Sequence, residues 1–493
     1  MDFSALIASY RPPSAVEEDI LECLHRGQSH FKQPLRQLAD HIIHRQSVEF
    51  IKEFIEEEDL FGCLNEPIHK GLRLLHYAVY QDEMGIMLLL LDSDADPNVM
   101  DDLGFTPVHI CAEKGYIHLI EILMSYGARI CFTEIYPNDQ SFGDPPRATA
   151  ADEPLRMAIR HCEHETARFL LEHGANCNAM YYLGQEINLV NPLDLASMEL
   201  LLLYGADANA RDLQGLTPLM KACRISQAVE AVHLLISYGA DVNAKALEDE
   251  KTSLHYAVLT GNLEIVQILV FNGAKVSFPL ERTRPPPLYY AVLRGNVEIL
   301  DFLLDSGADV NAVSTVVGSA LHLALTERIA NQVEIVETLL RRGANPNAIT
   351  QSDGRPCLKP PIGEYLQCCE HPRLEIIKLL LKHGARIVFD IQKNHDFGIL
   401  KVIHRIHLGL NPEVMTLLVE ASETFNIPFI EQSRHLSEYH KEILYKKALQ
   451  PFSLLQAARI QLRRTLGWGP SVPETVRTLG IPRCLERYVL FEE

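Results

Sequence analysis

Cysteine, histidine and carboxylate side chains are where this chain could do chemistry, and their spacing argues that they do not. Cys357, Cys368, Cys369 and His371 lie close enough in sequence to suggest a metal. Cys368, however, stands sixteen residues before Gly384, just as Cys111 stands sixteen before Gly127 and Ala257 sixteen before Gly273. That spacing assigns it to a recurring small-residue position in a core. His76, His109, His255 and His322 likewise share one repeating position, which suits rings bonded to turn backbone. The acidic run Glu56–Asp59 reads as a solvated helix end. No nucleophile–base pair, Gly-rich phosphate loop or carboxylate pair stands in an interpretable context. The sequence predicts no catalytic residue, no cofactor and no bound metal.

The elements that hold these residues are copies of one phrase. Tyr204-Gly205-Ala206-Asp207-Ala208-Asn209-Ala210 returns at Tyr238–Ala244 and Ser306–Ala312, and in weaker form at Asn272–Val276. Its glycines fall at 205, 239, 273 and 307, a step of 34 residues. A fixed period of that size marks stacked helical repeats, none of which buries its own apolar face. Each unit shows an inner helix with a small residue (Ala78, Cys111, Ala158, Ala222, Ala257, Ala291, Ala324) and a leucine-rich outer helix closed by a left-handed glycine. Thr106-Pro107 and Thr217-Pro218 place threonine at the N-cap and proline at the first helical position.

At 493 residues the chain exceeds one ordinary globular core, a limit that a solenoid escapes because each repeat packs only on its neighbours. With 65 acidic against 45 basic side chains its formal charge is −20, which argues against a nucleic-acid partner. Eleven cysteines, an odd number without metal spacing, point to a reducing compartment. The N-terminus lacks the pattern of a secretory signal, and the longest apolar runs are too short to span a bilayer. The expected location is the cytoplasm, or the nucleus as well, with no membrane partner.

The phrases Thr106-Pro107-Val108-His109, Leu254-His255-Tyr256-Ala257 and Leu321-His322-Leu323-Ala324 resemble the ankyrin repeat. The resemblance implies an all-α solenoid of helix pairs joined by β-hairpin loops. About nine repeats are expected over residues 70–390, after an N-terminal segment (1–69) holding a helix at Ala15–Glu18 and a degenerate capping repeat from Leu38 to Glu58. A degenerate closing repeat and linker are expected over 391–450. Long Gly-to-Gly steps place a loop near Phe132–Asp152 and excess residues near Asp353–Pro361, while the short step from Gly174 to Gly205 predicts shortened helices.

Residues 451–493 change character, with Ser453 capping a helix to Leu466, a second helix at Pro473–Leu479 and a last one carrying Leu485, Tyr488, Val489 and Leu490. Ser453-Leu454-Leu455-Gln456-Ala457-Ala458, followed by Leu479-Gly480-Ile481-Pro482 and Leu485-Glu486-Arg487-Tyr488-Val489-Leu490, resembles the three-helix SOCS box. The whole chain thus resembles the ankyrin repeat and SOCS box family. That resemblance implies a non-catalytic substrate receptor of a ubiquitin ligase, in which the repeats hold a target protein and the box recruits elongin B, elongin C and a cullin with its RING-box protein. Leu454, Leu455, Ala458 and Leu462 would meet elongin C, and Leu479, Ile481 and Pro482 the cullin. Gly480 replaces a family proline, so Gly480→Pro is expected to tighten cullin binding modestly. Asn209, Asn243 and Asn311 resemble the ankyrin asparagines that take a hydroxyl group, although they equally suit hairpin turns. The competing reading is a scaffold whose tail only caps the array.

Overall fold

The computed structural model describes residues 33–132, 153–181, 183–277, 285–314, 317–352, 355–369, 371–391, 397–403, 412–433 and 436–492. The expected helix at Ala15–Glu18 and all but the first residue of the Phe132–Asp152 loop lie outside them. The chain forms two compact units, one of residues up to Pro218 with Ser237–Ala240, the other of Leu219–Ile236 with Asp241–Glu493.

The first unit is a run of helix pairs: Gln33–Ile43 with Val48–Glu57, Leu74–Tyr80 with Met84–Asp92, Pro107–Lys114 with Ile117–Ser125, and Pro154–Arg160 with His164–Glu172. Its last pair has an inner helix of only four residues, Glu186–Leu189, before Leu195–Leu203, which the short Gly174-to-Gly205 step required. The helices Pro218–Ala222 and Val229–Ser237 belong to the second unit except for their end residues Pro218 and Ser237. The second unit continues with Ser253–Thr260 and Leu263–Phe271, Pro287–Arg294 and Val297–Asp305, Ala320–Thr326 and Gln332–Arg341, and Pro361–Cys368 and Leu374–Lys382.

Several pairs share one local chemistry. Thr106, Thr252 and Ser319 are N-caps whose backbone N–H is accepted by the Nδ1 of His109, His255 and His322 at 3.0, 3.1 and 3.1 Å. The ring replaces the Glu or Gln of a capping box, which explains the shared histidine position. The small residues Ala78, Cys111, Ala158, Ala222, Ala257, Ala291 and Ala324 are fully buried, as are the outer-helix leucines Leu90, Leu123, Leu170, Leu235, Leu269, Leu303, Leu339 and Leu380. Gly273, at φ +86°, ends its helix in a Schellman turn, with Ala274 N–H donating to Leu269 O at 2.9 Å. Asp94 fills the same position in the pair ending at Asp92, at φ +67°, so no glycine marks that repeat in the sequence.

Asparagines tie one hairpin to the next. Asn243 Nδ2 donates to Gly273 O at 2.9 Å, and its Oδ1 accepts from Lys275 N at 2.9 Å. Asn98, Asn178, Asn209, Asn311 and Asn347 make the same amide bond to Gly127, Gly205, Gly239, Gly343 and Gly384. In the weak copy Ser277 substitutes, its Oγ donating to Gly307 O at 3.1 Å. Each asparagine thus satisfies the carbonyl of a left-handed glycine that its own helix leaves open.

Two sequence expectations change. Cys368 does not fill the small-residue position: it is the exposed last residue of its helix, and Tyr365, buried, stands five residues after the N-cap where Ala324 and Cys111 stand. The connection from Cys368 to Leu374 is longer than that from Lys114 to Ile117, which shifts the count back from Gly384. The stretch 391–450 holds more than a closing helix (Pro412–Ala421) and a linker. Ile427–Gln432 and Glu438–Ala448 are helical, and strand Ser422–Phe425 pairs in parallel with Ile387–Phe389. The last helices, Leu454–Leu466, Ser471–Thr478 and Arg483–Leu490, follow the expected order.

Candidate functional site

The C-terminal helices hold themselves together through a small core of Val476, Val489 and Leu490, against which Leu462, Leu466 and Ile481 pack half-buried. Ser453 Oγ accepts from Gln456 N at 3.1 Å, starting the long helix as its sequence requires. A helix on so small a core needs further support.

That support comes from arginines one turn apart on the long helix. Arg459 donates to Glu420 O at 2.7 Å, beside Gln456 Nε2 on the same oxygen at 3.3 Å. Arg463 donates to Leu381 O and, at 3.1 Å, to Val489 O. Glu420, Leu381 and Val489 lie in the last turns of three helices, so the guanidiniums bond carbonyls at the negative ends of their dipoles, Leu381 O also accepting from Gly384 N at 3.0 Å. Both guanidiniums also stack on Phe491, at 4.3 and 4.9 Å from its ring centre. Burial pulls the Arg463 guanidinium down to about 10, which leaves it charged at neutral pH.

A second tie is ionic. Glu423 accepts two bonds from Arg386, at 2.8 and 2.7 Å, and one from Arg464 at 3.0 Å. Burial pushes the Glu423 carboxyl up, but these bonds outweigh it and hold it below its ordinary value. The backbone closes the join, with Gly469 N–H donating to His383 O at 3.1 Å.

The residues expected to bind partners are exposed in part. Leu454 is 88% exposed and Leu455 47%, and Ala458 is exposed one turn on. Leu462 continues that row but is turned partly into the internal core. Of the second group, Leu479 and Pro482 are exposed, whereas Ile481 packs half-buried on the core. Gly480 is at φ +66°. Proline is locked near −65°, so the expectation that Gly480→Pro tightens binding is overturned: it would have to rebuild the turn. The sequence reading missed Arg459, Arg463 and Arg464, although an i, i+4 arginine pair on the long helix was visible.

Asn209, Asn243 and Asn311 are held at backbone and side chain alike, each N–H donating to the Asp two residues earlier at 2.8, 2.8 and 2.9 Å. Among the described residues no helix is long and apolar enough to cross a membrane.

Comparison with known proteins agrees with this architecture. A family model of ankyrin repeats matches residues 38–134, 75–181, 190–279 and 280–350, and a SOCS box model matches 450–490. Putative ankyrin repeat protein FPV244 of fowlpox virus is 30% identical over 159 residues, 29% of this chain and 24% of its own length. The human transient receptor potential cation channel subfamily A member 1 is 27% identical over 158 residues, 30% of this chain and 12% of its own. Human protein phosphatase 1 regulatory subunit 27 is 33% identical over 89 residues, 18% of this chain and 56% of its own. The match with the first of these thus spans about a quarter of that relative's length. Among solved structures, the human ASB11 ankyrin repeat domain aligns with TM-score 0.37 and 22% identity, over 49% of this chain and 100% of that one. The chain belongs to the ankyrin-repeat family and carries a SOCS box at residues 450–490.

Proposed function

We propose that this protein is the substrate-recognition subunit of an elongin–cullin–SOCS-box type ubiquitin ligase, working in the cytoplasm or nucleus. Its repeats hold a target protein through their inner helices and hairpin tips, and its box recruits elongin B, elongin C and then a cullin with a RING-box protein. The chain does no chemistry itself. It raises the effective concentration of target lysines near a charged ubiquitin carrier. The acid excess, −20 overall, favours a target with a basic patch.

The observation that supports this reading is that Leu454, Leu455 and Ala458 are exposed on a helix that Arg459 and Arg463 bond to the repeats. A tail that served only to seal the array would bury its first leucines as well. Leu454 and Leu455 instead stay exposed while Leu462 and Leu466 pack inward, as expected of a helix that keeps an apolar end for a partner.

Affinity purification of the full chain from cells tests it. Elongins B and C should co-isolate stoichiometrically with the wild type and be lost from Leu454→Ala combined with Ala458→Asp. Their absence from the wild type would return the protein to the class of non-ligase scaffolds.

A further inference from the structure

A cavity of about 690 Å³ opens where the last repeat meets the box, its wall including Arg386, Phe397, Glu423, Ile460, Arg464 and Trp468. In a chain of net charge −20 its lining is unusual: Arg386, Arg459, Arg463 and Arg464 stand there against the single carboxylate of Glu423. Arg459 and Arg463 are spent on helix carbonyls. Arg386 and Arg464 are spent only in part. Arg386 gives Nε and Nη2 to Glu423 and stacks over Phe397 at 4.7 Å, which leaves Nη1. Arg464 gives Glu423 its Nε alone, and its side chain is 43% exposed.

We propose that this cavity binds a phosphomonoester with an aromatic or other apolar body. The phosphate oxygens accept from the Nη groups of Arg464 and from Arg386 Nη1, and the apolar body lies against Trp468 and Ile460. Guanidinium forks match phosphate geometry, and a dianion offsets most of the positive surplus that Glu423 leaves. The volume lies within the range of small-molecule sites, roughly 300–1,000 Å³, and is too large for a bare phosphate. The same chemistry is offered by a phosphotyrosine side chain or by a free aryl or nucleoside phosphate. The inference does not depend on the ligase reading.

Trp468 is the chain's only tryptophan and lines the cavity, so its fluorescence reports on the site directly. The full chain is titrated with phenyl phosphate, with phenol as the uncharged control. The expected result is a saturable change with phenyl phosphate alone. Arg464→Ala should weaken binding ten-fold or more. Glu423→Gln, which removes the competing negative charge, should tighten it several-fold, with melting curves checking that both variants fold. A phosphotyrosine peptide binding at least ten-fold tighter than phenyl phosphate identifies a protein source, and parity identifies a free small molecule. No saturation up to about 10 mM by both the wild type and Glu423→Gln overturns the proposal. So does equal response to phenol, or an unchanged affinity in a folded Arg464→Ala.

Discussion

Gly384 and Trp468 touch so closely that no side chain fits between them: a Cβ on Gly384 would lie 2.8 Å from Trp468 Cα and 2.7 Å from Gly467 O. Gly307 holds the same left-handed turn, at φ +90° against +96°, with nothing within 4 Å of such a Cβ. Gly307→Ala should therefore cost only the backbone strain, about 1–2 kcal/mol. Gly384→Ala adds a backbone clash at the join with the box and should cost about 2–4 kcal/mol. Urea unfolding of the two variants compares them, and equal losses would mean that the box does not press on this glycine.

Leu454→Ala should leave stability almost untouched, within about 0.5 kcal/mol, because the side chain is 88% exposed. On the proposed reading the same change weakens elongin C binding by about 2–5 kcal/mol, since the leucine becomes buried only in the complex. Calorimetric titration alongside a melting curve separates the two effects. A large drop in melting temperature would place Leu454 in the fold and not at an interface.

Gly480→Pro should weaken cullin binding and lower the melting temperature. Leu479 is helical at ψ −10°, a conformation that a following proline disfavours, and position 480 itself is at φ +66°. Gly480→Ala has open space around it and should cost about 1 kcal/mol from strain alone. Titration of the elongin-bound protein with the cullin N-terminal domain checks the order wild type, alanine, proline.

Stability should fall as the solution is acidified from neutral. Burial lowers His76 from 6.5 to about 4, and it lowers His322 too. Each ring accepts at Nδ1 and donates at Nε2, to Phe105 O at 3.1 Å and Lys359 O at 3.0 Å, so the folded state keeps them neutral. The unfolded chain binds those protons near 6.5, so the contribution is full above that value and is lost as pH drops towards 4. For His76 it is on the order of 3 kcal/mol. Denaturant melts at about pH 7 and about pH 5 should show the loss, and His76→Gln should reduce it.

Asn243→Ala removes both bonds to the next hairpin and should cost about 1–3 kcal/mol. The same amides bear on the proposal that Asn209, Asn243 and Asn311 are hydroxylated. An enzyme reaching these side chains must first open bonds to Gly239, Gly273 and Gly343. Peptide mass spectrometry from oxygenated cells should then show added oxygen rising in destabilised variants such as Gly307→Ala. No oxygen at any of the three, in wild type or variant, removes the proposal.

What the sequence made legible was whatever recurs locally. The glycine step, the Thr-Pro starts and the Ser453 cap each leave a signature within a few residues, because caps and turns are local chemistry. What it hid depends on distant partners. The parallel pairing of Ile387–Phe389 with Ser422–Phe425 joins segments whose composition does not name each other. Cys368 was misplaced because a count back from Gly384 assumes a turn of fixed length. Gly480 read as a missing proline, since a substitution pattern carries no dihedral angle. In the long box helix the leucine row stood out while Arg459 and Arg463 did not, because their acceptors are backbone carbonyls with no sequence of their own.

Those two arginines decide where the chain can be cut and rejoined. A truncation before Ser453 would take the arginine donors from the carbonyls of Leu381, Glu420 and Ala385, and a transplanted box would keep only the arginine contacts to its own Tyr488, Val489 and Phe491. The natural building block for chimeras is therefore the box together with the helices Leu374–Lys382 and Pro412–Ala421.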